Sequence, residues 1–496
     1  MPSEIMSSSG QPNLQISSIA SNKVATSLFL PLARQVKRPF SGGHWMPLTL
    51  SRNRIKNPRN PSNPHKPRLR QKGLRIMKRY PEYKDSGIEW IGEIPAHWKK
   101  SRIKYESLVP VQYGLNINSD LYAEQGIRFI RTTDITESGE LIDKGVYLEK
   151  ESVGEIYLTQ QNDFLISRSG TLGRAYLHQS DEKHTYGGYL VRFNFGCPIK
   201  SRFIFYFTKS RYFEHWITLN TIQSTIGNVN GQKYSNLEIP VPSFSEQAQI
   251  VKFLEQKTKQ IDKLIRIKER QIALLQEQRT ALINQVVTKG LDPNVEMKPS
   301  GVEWIGEIPA HWKISKVKHE FESLDNLRIP LNAETRGSMK TKVYDYYGAS
   351  GVIDKVENYI FDEPLILIGE DGANLRLRST PLAFKATGRY WVNNHAHVLK
   401  PKHGNIDYLA NMLESLNYAH YITGAAQPKL TSEHLMNITV IIPPPLEQAQ
   451  IANFLDRKTK QIDKLIAIEN QKIQLLKEYR QSLISEVVTG KIVCLL

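Results

Sequence analysis

The sequence predicts an α+β protein made of two units in tandem, each a variable body followed by a long α-helix. Two repeats predict this organisation. The fourteen residues 86–99 recur at 300–313 with a single change, and the nine residues 257–265 recur without change at 458–466. The second repeat lies in a segment with helical periodicity. Each unit therefore opens with one repeat and closes with the other.

The bodies between the repeats, roughly residues 100–238 and 314–441, show little similarity to each other. Two nearly identical frames therefore hold two different inserts, which suggests one task performed on two different targets. Apolar and aromatic-rich runs predict strands and helices in both bodies. We predict strands at 163–167, 187–195, 364–368 and 389–400, and helices at 202–219 and 406–416.

Each unit closes with a long helix. Ser243, followed three residues later by Glu246, predicts a capped start for the first helix. The prolines at 443–445 suit the first turn of the second helix. No Pro or Gly follows these starts until Gly290 and Gly490. About 43 residues at about 1.5 Å each make a rod of roughly 65 Å, a length that suits a coiled coil.

Apolar residues recur along both helices with heptad spacing, which predicts a helix–helix seam. Lys268 and Glu469 interrupt this seam at equivalent positions with opposite charges, and Arg279 and Arg480 interrupt it at equivalent positions with the same charge. Lys268 and Glu469 form either an ion pair or two solvated side chains, and the sequence favours the solvated side chains. The seam consists of Leu254, Ile261, Ile265, Ile272, Leu275, Leu282 and Val286, with the equivalents Leu455, Ile462, Ile466, Ile473, Leu476, Leu483 and Val487.

The formal net charge of +17 is concentrated in residues 1–76, where thirteen Lys and Arg residues and one Glu give +12. The remaining chain carries only +5, so charge alone does not predict a nucleic-acid-binding body. The composition of residues 1–76, rich in Ser, Pro, Asn and Arg, predicts a disordered basic N-terminal extension. It is either a nucleic-acid-binding arm or, as we favour, an extension upstream of a natural start at Met77.

Cysteine and hydropathy usage limit the class of protein. Cys197 and Cys494 are the only cysteines, so a disulfide framework and a Cys-based zinc site are excluded, and a reducing cytoplasm is expected. No apolar run reaches the roughly 18 residues that a membrane span needs. We therefore expect no membrane association.

Motifs for catalysis are absent from the sequence. It contains no phosphate-binding P-loop, no amino-methyltransferase signature, no Gly-x-Ser-x-Gly elbow and no His-Glu-x-x-His. His395 and His397 share one face of a predicted strand, but no third metal ligand stands out, so core or surface histidines are favoured. We expect no catalytic residue, no metal and no cofactor bound by this chain.

Glycine-containing turns, with Gly170 and Gly173 in the first body and Gly372 in the second, follow apolar strands and offer Arg and Asn side chains. Arg can grip guanine, and Asn adenine, with two hydrogen bonds. The turns are either DNA-reading loops or plain surface hairpins. The candidate DNA-binding residues are Arg168, Ser169, Thr171, Arg174, Asn230, Gln232 and Lys233 in the first body, and Asn374, Arg376, Arg378, Asn393, Asn394 and Lys429 in the second.

The opening repeat combines two tryptophans with Ile and Pro, which predicts a core that pins each body to its helices. This cluster leads into a recognisable set of motifs. The opening reads Ser86-Gly87, Glu89-Trp90-Ile91-Gly92-Glu93-Ile94-Pro95 and Trp98. The closing motifs are Gln232-Lys233-Tyr234, Ile239-Pro240 and Glu246-Gln247 in the first unit, and Gln427, Leu430, Ile442-Pro443, Glu447-Gln448 and Glu486-Val487-Val488-Thr489-Gly490 in the second.

Together these motifs resemble the specificity (S) subunits of type I restriction–modification enzymes, over about residues 77–496. Residues 1–76 depart from the family pattern. The resemblance implies a non-catalytic subunit with two target-recognition domains, each reading half of a bipartite, asymmetric sequence in double-stranded DNA. It implies two modification subunits that carry S-adenosylmethionine, and restriction subunits that use ATP and Mg²⁺, as partners in the prokaryotic cytoplasm.

The resemblance also implies the domain limits: recognition domains at 77–238 and 291–441, and conserved helices at 239–290 and 442–496. Two similar readers on one duplex most simply obey a two-fold axis perpendicular to the DNA. Rods that lie along the DNA are then antiparallel, so we predict an antiparallel coiled coil. Two other classes stay open: an enzyme with its own nuclease or methylase, and a coiled-coil scaffold without DNA contact.

Overall fold

The computed structural model of the protein describes residues 78–221 and 227–494. The predicted N-terminal extension, residues 1–76, lies outside these ranges. The described part mixes strands and helices, and two helices are far longer than the others. The α+β prediction is confirmed.

The first unit places small antiparallel and mixed sheets ahead of its long helix. Its strands are β1 (Tyr83–Asp85), β2 (Glu93–Pro95), β3 (Lys99–Arg102), β4 (Gln112–Tyr113), β5 (Ile127–Ile130), β6 (Val146–Leu148), β7 (Asp163–Ser167), β8 (Ala175–Leu177), β9 (Thr185–Tyr186), β10 (Leu190–Asn194) and β11 (Glu238–Val241). Its helices are α1 (Ile103–Glu106), α2 (Pro198–Thr208), α3 (Arg211–Asn220), α4 (Gly231–Ser235) and the long α5 (Phe244–Lys289).

The second unit follows the same plan. Its strands are β12 (Met297–Pro299), β13 (Glu307–Pro309), β14 (Lys313–Lys316), β15 (Phe321–Ser323), β16 (Tyr344–Gly348), β17 (Gly351–Val356), β18 (Leu365–Gly369), β19 (Ala383–Ala386), β20 (Tyr390–Val392), β21 (Ala396–Pro401), β22 (Ile422–Thr423), β23 (Lys429–Leu430) and β24 (Thr439–Ile442). Its helices are α6 (Val317–Glu320), α7 (Ala333–Ser338), α8 (Asn374–Leu377), α9 (Ile406–Ser415), α10 (Ser432–Asn437) and the long α11 (Pro445–Val488).

The two dissimilar bodies share one sheet topology. The antiparallel sheet β4-β10-β7-β8 corresponds to β15-β21-β18-β19, and the mixed sheet β6-β5-β9 corresponds to β17-β16-β20. The registers also agree, since Ser167 pairs with Leu190 in the first unit and Gly369 pairs with Ala396 in the second. The duplication therefore extends through the bodies, although their sequences no longer show it.

Two predicted elements are divided in the structure. The helix predicted at 202–219 is two helices, because the Ser210 side chain accepts the Phe213 N–H and caps a new helix. The strand predicted at 389–400 is β20 and β21, separated by a turn in which the Asn393 side chain accepts the His395 N–H. Short polar side chains that bond the nearby backbone break regular elements in this way.

The long helices begin as the sequence predicts. The Ser243 side chain accepts the Glu246 N–H at 3.4 Å, and Pro445 is the first residue of α11. Most seam residues are buried or half-buried, and Leu254, Leu455 and Leu483 are almost fully enclosed. The two helices contact each other along their length.

Three ion pairs give the relative direction of the long helices. Asp262 pairs with Arg480 at 3.1 Å, Lys268 with Glu469 at 3.0 Å, and Arg279 with Asp463 at 3.1 Å. The partner number falls as the position along α5 rises, so the helices run in opposite directions. The solvated interpretation that the sequence favours for Lys268 and Glu469 is therefore wrong.

The repeated tryptophan motif holds each body to the start of its own helix. In the first unit, the Trp98 indole N–H donates to Glu246 at 3.3 Å. In the second, Trp312 donates to Glu447 at 3.1 Å. Both tryptophans are buried, so the prediction that this motif forms core is confirmed.

The same motif also touches the end of the other helix. Trp98 lies against Gly490, just beyond the end of α11, and Trp312 lies against Gly290, just beyond the end of α5. The Tyr83 hydroxyl adds a hydrogen bond to the Gly490 carbonyl at 3.0 Å. Each body is thus fixed to the start of one long helix and the end of the other.

This contact predicts a large stability effect at Gly490. Gly490 and Gly306 both have a φ of 69°, but a Cβ on Gly490 would overlap the rigid Pro95 ring, whereas nothing lies within 4 Å of a Cβ on Gly306. We expect Gly306→Ala to cost about 1–2 kcal/mol from left-handed backbone strain, and Gly490→Ala to cost about 1–3 kcal/mol more from overpacking. Urea unfolding of both variants measures the difference. Equal costs would show that the Pro95 contact is unimportant.

Candidate nucleic-acid interface

A tight turn follows the central strand β7 of the first unit. The chain leaves β7 at Ser167 and returns into β8 through residues 168–174. Gly170 and Gly173 each have a φ of 75°, a conformation that glycine adopts without strain. The turn predicted from these glycines is confirmed, and it presents its side chains beyond the end of the sheet.

Three segments meet at this end of the sheet. The Arg168 N–H donates to the Tyr189 carbonyl at 2.8 Å, and the Arg168 carbonyl accepts the Val229 N–H at 2.9 Å. The turn after β7, the turn before β10 and the segment before α4 therefore lie side by side. We call this region, residues 168–174, 187–189 and 227–233, the first corner.

The second unit builds an equivalent region with the same backbone bonds. The Glu370 N–H donates to the His395 carbonyl at 2.9 Å, and the Glu370 carbonyl accepts the Leu430 N–H at 2.8 Å. We call residues 370–378, 393–395 and 427–431 the second corner. Glu370 thus occupies the backbone position that Arg168 occupies in the first corner, so the two corners share a backbone and differ in charge.

Arg168 is held in place within the first corner. Its guanidinium donates to the Gly188 carbonyl at 3.2 Å and lies 5.2 Å from the centroid of the Tyr113 ring. The Tyr113 hydroxyl in turn accepts the Gly231 N–H at 3.0 Å. A cation over an aromatic face is stabilised by the ring quadrupole, so this half-buried guanidinium is oriented before any ligand binds.

The other first-corner candidates differ in exposure. Thr171 and Gln232 are exposed, whereas Ser169 is only 7% exposed and its backbone bridges to Asn228. The exposed pair can reach a ligand without rearrangement. Ser169 can offer little beyond its place in the backbone of the corner.

Three further candidates make internal hydrogen bonds. The Asn230 side chain accepts the Lys233 N–H at 2.9 Å and caps α4. The Lys233 ammonium donates to the Asn220 carbonyl at 2.6 Å, and the Arg174 guanidinium donates to the Ile135 carbonyl at 3.0 Å. Their side chains therefore stabilise the corner in this structure.

A charged network fills the second corner. The Glu370 carboxylate receives Arg328 at 2.5 Å and Lys429 at 3.2 Å. Behind it, the His397 ring bonds Asp325 at 2.6 Å through Nδ1. Lys429 has half of its side chain exposed, so its ammonium is available to a ligand while Glu370 orients it.

The network keeps its acids ionised. Burial raises the pKa of the Glu370 carboxyl, but the hydrogen bond from Arg328, the charge of His397 and the hydrogen bond from Lys429 outweigh burial and hold this pKa below its usual range. For Asp325 burial likewise raises the pKa, and His397, the Val398 N–H and Arg328 lower it further than burial raises it. Arg328 and Lys429 therefore face carboxylates, and not neutral acids, at neutral pH.

Two second-corner arginines are exposed and bond backbone carbonyls or acids nearby. Arg376 donates to the Gly424 carbonyl at 2.9 Å, in the loop between β22 and β23 that also leads to Lys429. Arg378 donates to Glu414 on α9 at 3.0 Å. Arg376 therefore lies beside the corner, while Arg378 is directed to the helix behind it.

The asparagine candidates also differ in whether their side chains are used within the protein or exposed. Asn374 accepts the Thr380 N–H at 3.0 Å and shapes the turn after α8. Asn393 is 5% exposed and holds the turn before β21, whereas its neighbour Asn394 is exposed. Asn394 is the asparagine of this corner with a free approach to a ligand.

The structure brings several residues into the corners that the sequence did not single out for DNA. Tyr189 is 61% exposed at the rim of the first corner. At the equivalent place in the second corner, His395 bonds Asp371 at 2.7 Å. The Gly187-Gly188 pair before Tyr189 is the one sequence signal for such a rim. The rim and network residues so added are Tyr113, Tyr189, Arg328, Asp371 and His395.

Within residues 78–221 and 227–494, no cluster of three or more His, Cys, Asp or Glu side chains could hold a metal ion. His395 and His397 bond different acids, Asp371 and Asp325. Among the described helices, none is both long and apolar enough to cross a membrane.

A comparison with protein families decides the relationship. The model of the type I restriction modification DNA specificity domain matches residues 95–276 and again residues 309–478. The chain belongs to this family of specificity subunits. Each match begins in an opening motif and ends inside a long helix, as the tandem organisation requires.

Individual relatives agree. The specificity subunit of the putative type I restriction enzyme MjaX from Methanocaldococcus jannaschii is 24% identical over 425 residues, which cover 81% of this chain and 95% of the relative. A putative type I specificity subunit from Haemophilus influenzae is 34% identical over 137 residues, 27% of this chain and 34% of the relative. A solved structure from a study of type I R-M complex assembly and conformational transition matches with a TM-score of 0.60 at 14% identity, covering 80% of this specificity subunit and 99% of that chain, and supports the fold.

Proposed function

We propose that this specificity subunit reads a bipartite, asymmetric site in double-stranded DNA. One half is read by the domain at 77–238 and the other by the domain at 291–441. The proposal is supported by the two corners, which share one backbone but carry different side chains. Equal backbones present readers to DNA in the same way, and different side chains select different bases.

The long helices set the distance between the readers in this proposal. They pack as an antiparallel coiled coil within 239–290 and 442–496, with the bodies at opposite ends. About 45 residues at about 1.5 Å per residue separate the bodies by roughly 65 Å at most. That upper limit exceeds one turn of duplex DNA, about 34–36 Å, so it leaves room for a gap between the two half-sites.

The chain itself performs no chemistry in this proposal. Two modification subunits supply S-adenosylmethionine, and restriction subunits supply ATP and Mg²⁺. This chain binds no cofactor and directs these partner subunits to their DNA site, and the whole complex acts in the cytoplasm. The alternative classes, a self-contained enzyme and a scaffold without DNA contact, predict a different outcome in the following experiment.

The experiment is methylome sequencing of cells that express this chain with its modification subunit, together with DNA binding of the purified complex over a range of salt concentrations. We expect methylation at a two-part motif with unlike halves, and specific binding that weakens as salt rises. A parallel culture expresses this chain without the modification subunit, and methylation there would favour an enzyme. A complex without sequence-specific binding would favour a scaffold.

Arg168 allows a residue-level prediction. We expect Arg168→Ala to relax recognition at one base position of one half-site, at a cost of about 1–3 kcal/mol, because an arginine that bonds a base twice is lost. Arg102→Ala is the matched control, since Arg102 lies outside the corner, where it pairs with Glu238 at 3.3 Å. Methylated-site sequencing of both variants distinguishes them. An unchanged motif in the Arg168 variant would remove Arg168 from the readers.

A further inference from the structure

The ion pairs between the long helices follow the duplication. An offset of 201 positions makes Asp262 equivalent to Asp463 and Arg279 equivalent to Arg480. The pair of Asp262 with Arg480 and the pair of Arg279 with Asp463 are therefore two copies of one contact. They are exchanged by a pseudo-two-fold axis that passes between the helices.

The Lys268–Glu469 pair lies on that axis. The same offset makes Lys268 and Glu469 equivalents of each other, and a residue that meets its own equivalent must sit on the axis relating them. The ammonium and carboxylate are 3.0 Å apart, with side chains 24% and 13% exposed. The centre of the interface therefore holds one cation and one anion where exact symmetry would place like charges.

The apolar seam cannot tell one long helix from the other. Its residues are of identical type in both copies, Leu, Ile, Ile, Ile, Leu, Leu and Val in order. A helix α5 would therefore bury its seam equally well against α11 or against the α5 of a second chain. Among the seam interruptions, Arg279 and Arg480 are also identical, so the axial position is where the copies differ.

We propose that the axial pair of Lys268 and Glu469 selects the partner of each long helix, joining α5 to α11 and rejecting a second copy of α5. Two α5 helices would oppose Lys268 to Lys268. The neighbouring residue that contacts Lys268, Gln271 at 2.8 Å, carries no compensating charge. Single polar residues at coiled-coil positions set partner choice in this way.

Two α11 helices would be less strongly rejected, because Lys472 bonds Glu469 on its own helix at 2.6 Å. This does not weaken the selection. Two chains contain two α5–α11 pairs. An exchange of partners between them produces one α5–α5 pair and one α11–α11 pair, so the repulsion between two Lys268 side chains opposes every exchange.

The test exchanges halves of the folded full-length chain. A protease site placed in the exposed loop 291–294 nicks the chain between its units, and two nicked preparations carry different tags on the first unit. They are mixed, unfolded in urea and refolded, and one tag is captured. The variants are the original chain, Lys268→Ala with Glu469→Ala, and a polarity reversal made of Lys268→Glu, Gln271→Lys, Glu469→Lys and Lys472→Gln.

Capture of one tagged first unit by the other reports α5–α5 pairing. We expect little capture with the original chain and with the polarity reversal. With the alanine variant we expect at least about a tenfold increase in capture, equivalent to about 1.4 kcal/mol. An alanine variant that matches the original chain would overturn the proposal, as would a polarity reversal that matches the alanine variant.

The intact chain provides a second measurement that does not depend on refolding of halves. We expect Lys268→Glu and Glu469→Lys each to lower the urea midpoint of unfolding. The polarity reversal, which carries all four substitutions, should restore it. The exposed pair Lys460 and Asp456 on α11 is the control, because exchanging its charges leaves the contacts between helices unchanged. Unchanged midpoints in both single variants would also overturn the proposal.

Discussion

Replacing residues 100–238 with the insert of another family member should change one half of the recognised DNA sequence and leave the other half unchanged. The reason is structural: the first corner is built entirely from this insert, and the second corner from residues beyond 314. Each wrong base pair typically costs about 1–3 kcal/mol, so a new insert replaces the specificity of a half-site completely. The motif change is therefore an all-or-none effect.

Methylome sequencing of the chimaera measures this result. The reciprocal replacement of residues 314–441 is the matched control, and it should alter the opposite half. A chimaera in which both halves change would contradict the assignment of one half-site to each domain. A chimaera with neither half changed would place base recognition outside the bodies.

Adding one heptad to both long helices should lengthen the gap between half-sites without altering either half. Seven residues return the seam to nearly the same face and extend each helix by about 10 Å, or roughly three base pairs. The second half-site also turns by about 100° around the duplex, given about 10.5 base pairs per turn. We therefore expect either a longer gap or lost activity, with both half-site sequences retained wherever activity remains.

Sequencing of methylated sites in the insertion variant decides between these outcomes. The control inserts the heptad into α5 alone. This puts Asp262 and Arg279 out of register with their partners on α11 and should prevent the two long helices from packing together. An active variant that still methylates sites with the original gap would show that the helices do not set the spacing.

The frame of the protein was predictable because its signals are local. Ser243 caps α5, heptad spacing marks the seam, and the apolar run at 163–167 coincides with β7. Each of these depends on neighbours within a few residues. The opening tryptophans were predictable as core because their repetition in both units tied them to the frame.

Other features depend on contacts between distant parts of the chain. Arg174 reaches a carbonyl about 40 positions away, at Ile135, and Lys268 meets a residue of the other helix. No local pattern encodes such partners, so the ion pair was predicted to be solvated. The common topology of the bodies could not be read from the sequence for a related reason. Backbone hydrogen bonds of Arg168 and Glu370 define the equivalent corners, and backbone bonds do not depend on which side chains are present.

The central claim is that two different readers sit on one pseudo-symmetric frame. Interchanging residues 100–238 and 314–441 within this chain tests it most directly. A rotation by 180° about the pseudo-two-fold axis, which is perpendicular to the DNA, brings each interchanged body back to the position it had in the original protein. Methylome sequencing should then return the original motif, with the same halves and the same gap. A different gap, or a motif with a changed half, would contradict the claim.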